Sequence, residues 1–196
     1  MLSDCLFCQR ADDAARIVMG GGIIAYPTEA VFGIGCDPDS QNALARILAL
    51  KGRDPGKGMI LVADAYDLIA PYVANPLPEH VNISDALDAW PGFRTFILPA
   101  SEKANSILTG GRGTIAARVS EHPFISAICR ITGKPIVSTS ANASGCEPCR
   151  TAQDVRAWLE ISGNCDAVDY VADASTLGFS KPSPIYDLLT GKRVRD

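Results

Sequence analysis

The sequence predicts one α/β domain in which some strand pairs are antiparallel. Three observations support this. The chain has 196 residues, the length of one domain or at most two small ones. It is 47% hydrophobic, enough for a sizeable core. Short apolar runs bounded by turn residues alternate with segments of helical period, and no internal repeat, low-complexity tract or linker interrupts them.

The elements follow in order. Asp12 to Met19 reads as a short helix ended by Gly20-Gly21-Gly22, and Ile23, Ile24 and Ala25 as a buried strand that Tyr26-Pro27 stops. Ser40 is placed to cap a helix whose apolar set is Leu44, Ile47 and Leu48, with Gly52 just past its end in the left-handed conformation. Gly58 to Ala63 is a strand. Asp67 to Tyr72 and Asp85 to Trp90 read as short helices around a Pro76 and Pro78 loop, and Trp90-Pro91-Gly92 is a turn. Thr95 to Leu98 is a strand closed by Pro99, and a polar, glycine-rich loop runs to Gly113. Thr114 to Val119 is a strand, His122-Pro123 opens a helix closed by Gly133, and Pro135 to Thr139 is a further strand. Thr151 and Asp154 have capping-box spacing and open a helix to Glu160; strands near Ala167 to Ala172 and Ile185 to Leu189 finish the chain.

Composition narrows the function classes. No apolar run reaches the roughly 18 residues of a membrane span, and MLSDCLFCQRADDAA lacks the basic start and apolar core of a signal peptide, so a cytoplasmic protein with no membrane contact is expected. The net charge of −4 excludes a bulk polycation. Anion binding must come from local clusters: Lys51, Arg53 and Lys57, or Lys192, Arg193 and Arg195, the latter reading as a solvated end. Seven scattered cysteines are not a disulfide framework, and reduced thiols are expected. Cys5 with Cys8 and Cys146 with Cys149 have C-x-x-C spacing, but the pairs lie outside the usual zinc-finger separations, so no structural metal is expected.

The chain is organised around Ala25 to Asp37, AYPTEAVFGIGCD. A buried strand stops at a hydroxyl and a carboxylate, Thr28 and Glu29, and Gly33 and Gly35 then leave the backbone open to a ligand. Lys51 and Arg53 flank Gly52 and pair a compact charge with a flat fork, which suits a polyphosphate; the plain reading is helix C-terminal cations. GRDPGKG is not a P-loop, because Gly52 and Gly56 are one residue too close and Gly58 replaces the magnesium-binding hydroxyl. Gly33-Ile34-Gly35 is not a dinucleotide fingerprint, because Pro38 stands at the third glycine. Ser138-Thr139-Ser140-Ala141-Asn142 ends an apolar strand in hydroxyls and an amide, either an anion nest or a plain turn. Thr114 and Arg118 share one strand face, with Arg118 either at a ligand or in a salt bridge. Ser183 precedes a strand. With only His80 and His122 present and no Ser-His-Asp order, triad hydrolysis is disfavoured.

Together YPTEAVFGIGCDPD, KGRDPGKGMIL, WPGFRTFILP, the Arg-Val of AARV with the following His-Pro, PIVSTSANASG and PSPIYDL resemble the YrdC-like threonylcarbamoyl-AMP synthases, closest to the short bacterial TsaC type. The resemblance runs from Tyr26 to Leu188. It implies a single domain over residues 1–196, core roughly 9–190, built as an open twisted mixed sheet with flanking helices of the YrdC-like or DHBP synthase-like kind. It implies that ATP, L-threonine and bicarbonate give L-threonylcarbamoyladenylate and pyrophosphate, for N6-threonylcarbamoyladenosine formation in tRNA by TsaD with TsaB and TsaE. By resemblance, Lys51 and Arg53 are catalytic and hold the ATP phosphates, Thr114, Ser140, Asn142 and Ser183 bind ATP, and Thr28, Arg118 and Ser138 hold threonine. Mg2+ is expected to come with ATP through its phosphates. Some members bind RNA, so tRNA contact enters as an expectation. The rival is a tRNA- or double-stranded-RNA-binding module without synthase activity, resting on the same basic residues. The chain departs from the family at Phe93, usually proline, at Arg94, usually small and apolar, and around Ser120 and Pro184, where proline or a threonine pair is more usual.

Overall fold

The computed structural model describes residues 2–195, with side chains from residue 10 onward. Helix α1 (Leu2–Met19) starts well before the expected Asp12. Its Ala11, Ala14, Ala15 and Val18 recur at helical spacing and are buried, and the Gly22 N–H closes the end on the Ile17 carbonyl at 2.8 Å. Strand β1 (Ile24–Pro27) forms a hairpin with β2 (Phe32–Gly35), and the Thr28 N–H donates to the Val31 carbonyl at 3.0 Å across the turn.

This hairpin corrects the sequence reading twice. The strand runs on through Tyr26 and Pro27, because proline sits at its last position, beside the turn, where a missing N–H is tolerated. Gly33 and Gly35 lie inside a strand; Gly33 still lines the cleft described below, while Gly35 does not. Their missing side chains let other groups approach. A Cβ on Gly35 would strike the Val137 carbonyl oxygen and stand 2.8 Å from the Tyr26 ring, and one on Gly33 would stand 3.2 Å from the Ser138 Oγ.

The remaining elements are α2 (Gln41–Lys51), β3 (Ile60–Ala63), α3 (Tyr66–Ile69), α4 (Ser84–Leu87), β4 (Thr95–Pro99), α5 (Ser106–Thr109), β5 (Thr114–Val119), α6 (Pro123–Thr132), β6 (Ile136–Ser140), α7 (Ala152–Ile161), β7 (Tyr170–Val171), β8 (Ile185–Asp187) and β9 (Lys192–Arg195). The caps are those the sequence announced. Ser40 accepts from the Ala43 N–H, Gly52 and Gly133 are left-handed at φ +54 and +65, and Thr151 and Asp154 complete a capping box. Helix α5 was not expected; Asn105 caps it by accepting from the Ile107 and Leu108 N–H groups.

The nine strands of the described residues join one open sheet in the order β7-β1-β2-β6-β3-β5-β4-β8-β9. Only β1/β7, β3/β5 and β4/β8 run parallel among these pairs; the others are antiparallel. Alternation then sorts the side chains by face. Leu61, Ala117 and Val137 are fully buried in the hydrophobic core, while Ile60, Val62, Arg118, Ser138 and Ser140 turn to the other face and line a cleft. Helix α1 packs on α6, α6 on β3, and α7 on β1 and β7. No helix among the described residues is long and apolar enough to cross a membrane.

Candidate active site

The cleft over the polar face of the sheet has a volume of about 270 Å³. Thr28 reaches it from the β1–β2 turn, Ser138 and Ser140 from β6, Arg118 from β5, Arg53 from the loop after α2, and Ser183 from the segment before β8. A second hollow of about 410 Å³ adjoins it, sharing Arg53, Ile60 and Arg195 and adding Lys57, Arg112, Thr114 and Asp187. Of the residues expected from sequence, six therefore meet in the first cleft and Thr114 stands in the adjoining one.

Arg118 is 5% exposed and Glu29 is 4% exposed. The Arg118 Nη1 donates to Glu29 Oε2 at 2.5 Å, and the Ser120 hydroxyl donates to Glu29 Oε1 at 2.7 Å. Arg118 is salt-bridged, one of its two readings, and it also lines the cleft. Nη1 is the only one of its nitrogens with a hydrogen-bond partner among the described residues, so Nε and Nη2 remain for an anion. The network continues to the segment after β5. The Ser120 Oγ accepts from the His122 N–H at 3.1 Å, the His122 Nδ1 accepts from the Phe124 N–H at 3.2 Å, and the Nε2 lies 3.2 Å from the Ser175 carbonyl oxygen. These contacts require neutral histidine with the proton on Nε2, and burial pushes its pKa down.

Lys51 does not line the cleft. It is 3% exposed, and its ammonium lies under the loop that follows β6. There Nζ donates to the Ser140 carbonyl, to the Asn142 carbonyl at 2.7 Å and to Asn142 Oδ1 at 3.2 Å. Burial, and then the nearby Arg53 charge, push the amine down to about 8. The Ser140 hydroxyl donates to the same Asn142 Oδ1 at 2.6 Å, and the Asn142 side-chain amide donates to the Cys146 carbonyl at 2.5 Å. Lys51 and Asn142 thus shape the loop from behind while Ser140 fronts the cleft. Arg53 takes the opposite course: its Nε and Nη2 donate to the Gly58 carbonyl at 3.3 and 3.0 Å, and its guanidinium borders both hollows.

The basic tail is exposed, as expected of a solvated end, but it is also fastened to the sheet. Strand β9 folds back on β8, and the Arg195 Nη2 donates to the Ser183 carbonyl at 2.8 Å. This brings Arg195 into both hollows, where partial burial and the charges of Arg118 and Arg53 lower its pKa. The sequence carried the signal: Thr190-Gly191 is a turn pair, and Gly191 has φ +67. The adjacent departures Phe93 and Arg94 separate. Phe93 lines the first cleft, whereas the Arg94 guanidinium lies 5.9 Å from the Tyr186 ring centroid and borders neither hollow. Cys146 is an exposed free thiol and Cys149 a buried one; the side chains of Cys5 and Cys8 lie outside the described residues.

Among the described residues the cleft is lined by three arginines, six hydroxyl-bearing residues and no carboxylate, suited to holding anions side by side. The family profile described as "Telomere recombination" (Sua5/YciO/YrdC) matches residues 16–195. The chain is 45% identical over 173 residues to a threonylcarbamoyl-AMP synthase of Shigella flexneri, covering 88% of each chain. It is 44% identical over 184 residues to one of Idiomarina loihiensis, covering 94% of this chain and 96% of the relative. Among solved structures it superposes on P. abyssi Sua5 complexed with L-threonine with a TM-score of 0.79 at 28% identity, covering 91% of this chain and 50% of the other. The chain thus spans about half the length of that structural relative and nearly all of the two sequence relatives, and it belongs to the Sua5/YciO/YrdC family.

Proposed function

We propose that this chain makes L-threonylcarbamoyladenylate and pyrophosphate from ATP, L-threonine and bicarbonate. The threonine amine combines with bicarbonate to give a carbamate and water. A carbamate oxygen then attacks the α-phosphorus of ATP, and pyrophosphate leaves. Both reactants are anions, so the site's work is to bring negative groups together and hold them in line. The observation that carries the reading is Arg118: a buried guanidinium with one nitrogen fixed by Glu29 and an edge left over in a cleft bordered by two further arginines.

In this assignment Arg118 holds the threonine carboxylate, with Thr28 and Ser138 beside it. Arg53 holds the phosphates, joined by Arg195 from the tail. Thr114, Ser140 and Ser183 contact the nucleotide. Lys51 acts from behind the loop, fixing the Ser140 and Asn142 carbonyls and lending its charge to the phosphate end. Magnesium fits as a companion of ATP rather than as a resident ion. Among the described residues no group of three or more His, Cys, Asp or Glu could hold a metal, Glu29 is bonded to Arg118 and Ser120, and Asp187 accepts from the Leu189 N–H and the Thr190 hydroxyl. Bound through phosphates and water, the ion offsets phosphate charge.

The adenylate is a mixed anhydride, so a transferase of the TsaD kind, with TsaB and TsaE, is its proposed consumer. Direct tRNA contact would run through exposed Lys57, Lys192 and Arg193, because Arg53 turns inward and Lys51 is buried. The test is whether pyrophosphate release from ATP and bicarbonate depends on L-threonine.

A further inference from the structure

Phe93 stands at the rim of the first cleft, between Arg118 and Phe179. The Arg118 guanidinium carbon lies 5.8 Å from the Phe93 ring centroid, and the rings of Phe93 and Phe179 lie 4.5 Å apart, tilted by 35°. Phe179 belongs to an irregular segment that is fastened to the turn holding Glu29: its N–H donates to the Glu29 carbonyl at 3.0 Å. Arg150 ties the same segment down, its Nη2 donating to the Ser180 carbonyl at 2.8 Å. Two pieces of chain distant in sequence therefore meet as an aromatic bracket beside the arginine. A ring near a guanidinium attracts the cation and keeps water from it, yet offers no acceptor for its N–H edge. That edge stays available for a carboxylate.

We propose that Phe93 is a specificity-determining residue for the amino-acid substrate. Resting on the synthase reading above, it bounds the amino-acid end of the cleft, braced by Phe179, so that a compact side chain fits and a long or aromatic one is turned away. It also strengthens the Arg118 bond to the carboxylate by excluding water. Phe93 lines only the first cleft, whereas Arg53 and Arg195 also border the adjoining hollow.

The experiment compares the full chain with Phe93→Ala and Phe93→Leu, measuring pyrophosphate release with L-threonine, L-leucine and L-phenylalanine while KM is determined separately for ATP and for the amino acid. For Phe93→Ala the KM for threonine should rise about 10-fold and the preference for threonine over the larger amino acids fall at least about 10-fold, with the KM for ATP within about twofold of the parent. Phe93→Leu keeps an apolar wall against Phe179, so it should retain most of the preference while losing part of the threonine affinity. Unfolding midpoints show that each variant is folded. A folded Phe93→Ala protein with unchanged threonine KM and preference overturns the inference alone, as does an ATP KM that rises equally. If Phe93→Ala does not fold, Phe93→Leu with a parental threonine KM overturns it. No threonine-dependent release by the parent protein overturns this inference and the synthase reading together.

Discussion

Arg118 and Glu29 form a buried ion pair, Nη1 to Oε2 at 2.5 Å, with side chains 6% and 5% exposed. It links β5 to the β1–β2 turn, so one contact both fixes the hairpin and aims the cleft's central cation. Truncating either side leaves a buried charge without its partner. Glu29→Ala should therefore cost about 3–5 kcal/mol of stability, read from urea unfolding, and raise the KM for threonine in whatever protein remains folded. Arg118→Ala should show the same instability. Arg118→Lys keeps a charge for Glu29 and is the variant in which threonine use should weaken more than ATP binding; equal losses would refute that division of labour.

Lys51 yields a prediction in which rate and stability respond differently to pH. Replacing it with alanine removes three donors to the Ser140–Asn142 loop and a cation near the phosphates. Turnover should fall roughly 30- to 1,000-fold, equivalent to about 2–4 kcal/mol of transition-state stabilisation. The amine titrates near 8 in the fold, against 10.5 for an ordinary lysine. Above about pH 8 the folded protein loses the cation, and the rate should drop along a basic limb. Between 8 and 10.5 the unfolded chain binds the proton more tightly, so this group's contribution to stability rises with pH. A falling rate with no fall in unfolding free energy over pH 8 to 9, and no such limb in Lys51→Met, is the expected pattern.

His122 controls the acid side. Burial lowers its pKa below the usual 6.5, and the neutral ring is bonded at Nδ1. Its contribution is complete above about 6.5 and is lost as pH falls through that value toward the lower folded pKa, where the unfolded chain binds the extra proton. Urea unfolding at pH 7.5 and 5.0 should show stability falling by at most about 1.4 kcal/mol per pH unit from this group, and His122→Gln should flatten that part of the slope.

Arg195 distinguishes a solvated tail from a working one. Arg195→Ala should raise the KM for ATP about 10-fold or more and leave the unfolding midpoint nearly unchanged, because β9 is an exposed edge strand. An unchanged KM for ATP would return the residue to the surface.

Much of this fold was legible wherever a local rule decided it. Ser40, Gly52, Gly133 and the Thr151–Asp154 box marked helix ends because caps satisfy backbone groups within a few residues. The strand Phe32–Gly35 was missed because its two glycines were read only as backbone left open to a ligand; in the fold they pair with β1, with the Tyr26 ring against both and the Val137 carbonyl against Gly35. In the site, Thr28, Ser138 and Ser140 were visible as hydroxyls where apolar strands end, Arg118 as a charge on an apolar strand and Arg53 as a cation beside Gly52, while Ser183 before its strand was a weak signal and the binding roles came from the family resemblance. The inward turn of Lys51 was not, because its acceptors lie 89 and 91 residues away in sequence. Arg195 was passed over because a charge cluster at a chain end reads as solvated until the hairpin that returns it is seen.

The central claim is that the cleft joins a single amino acid to ATP. Pyrophosphate release from ATP and bicarbonate, measured with and without L-threonine, tests it most directly. The account predicts release that depends on threonine and stops when Arg53 is replaced. The same slow release with or without threonine would contradict it.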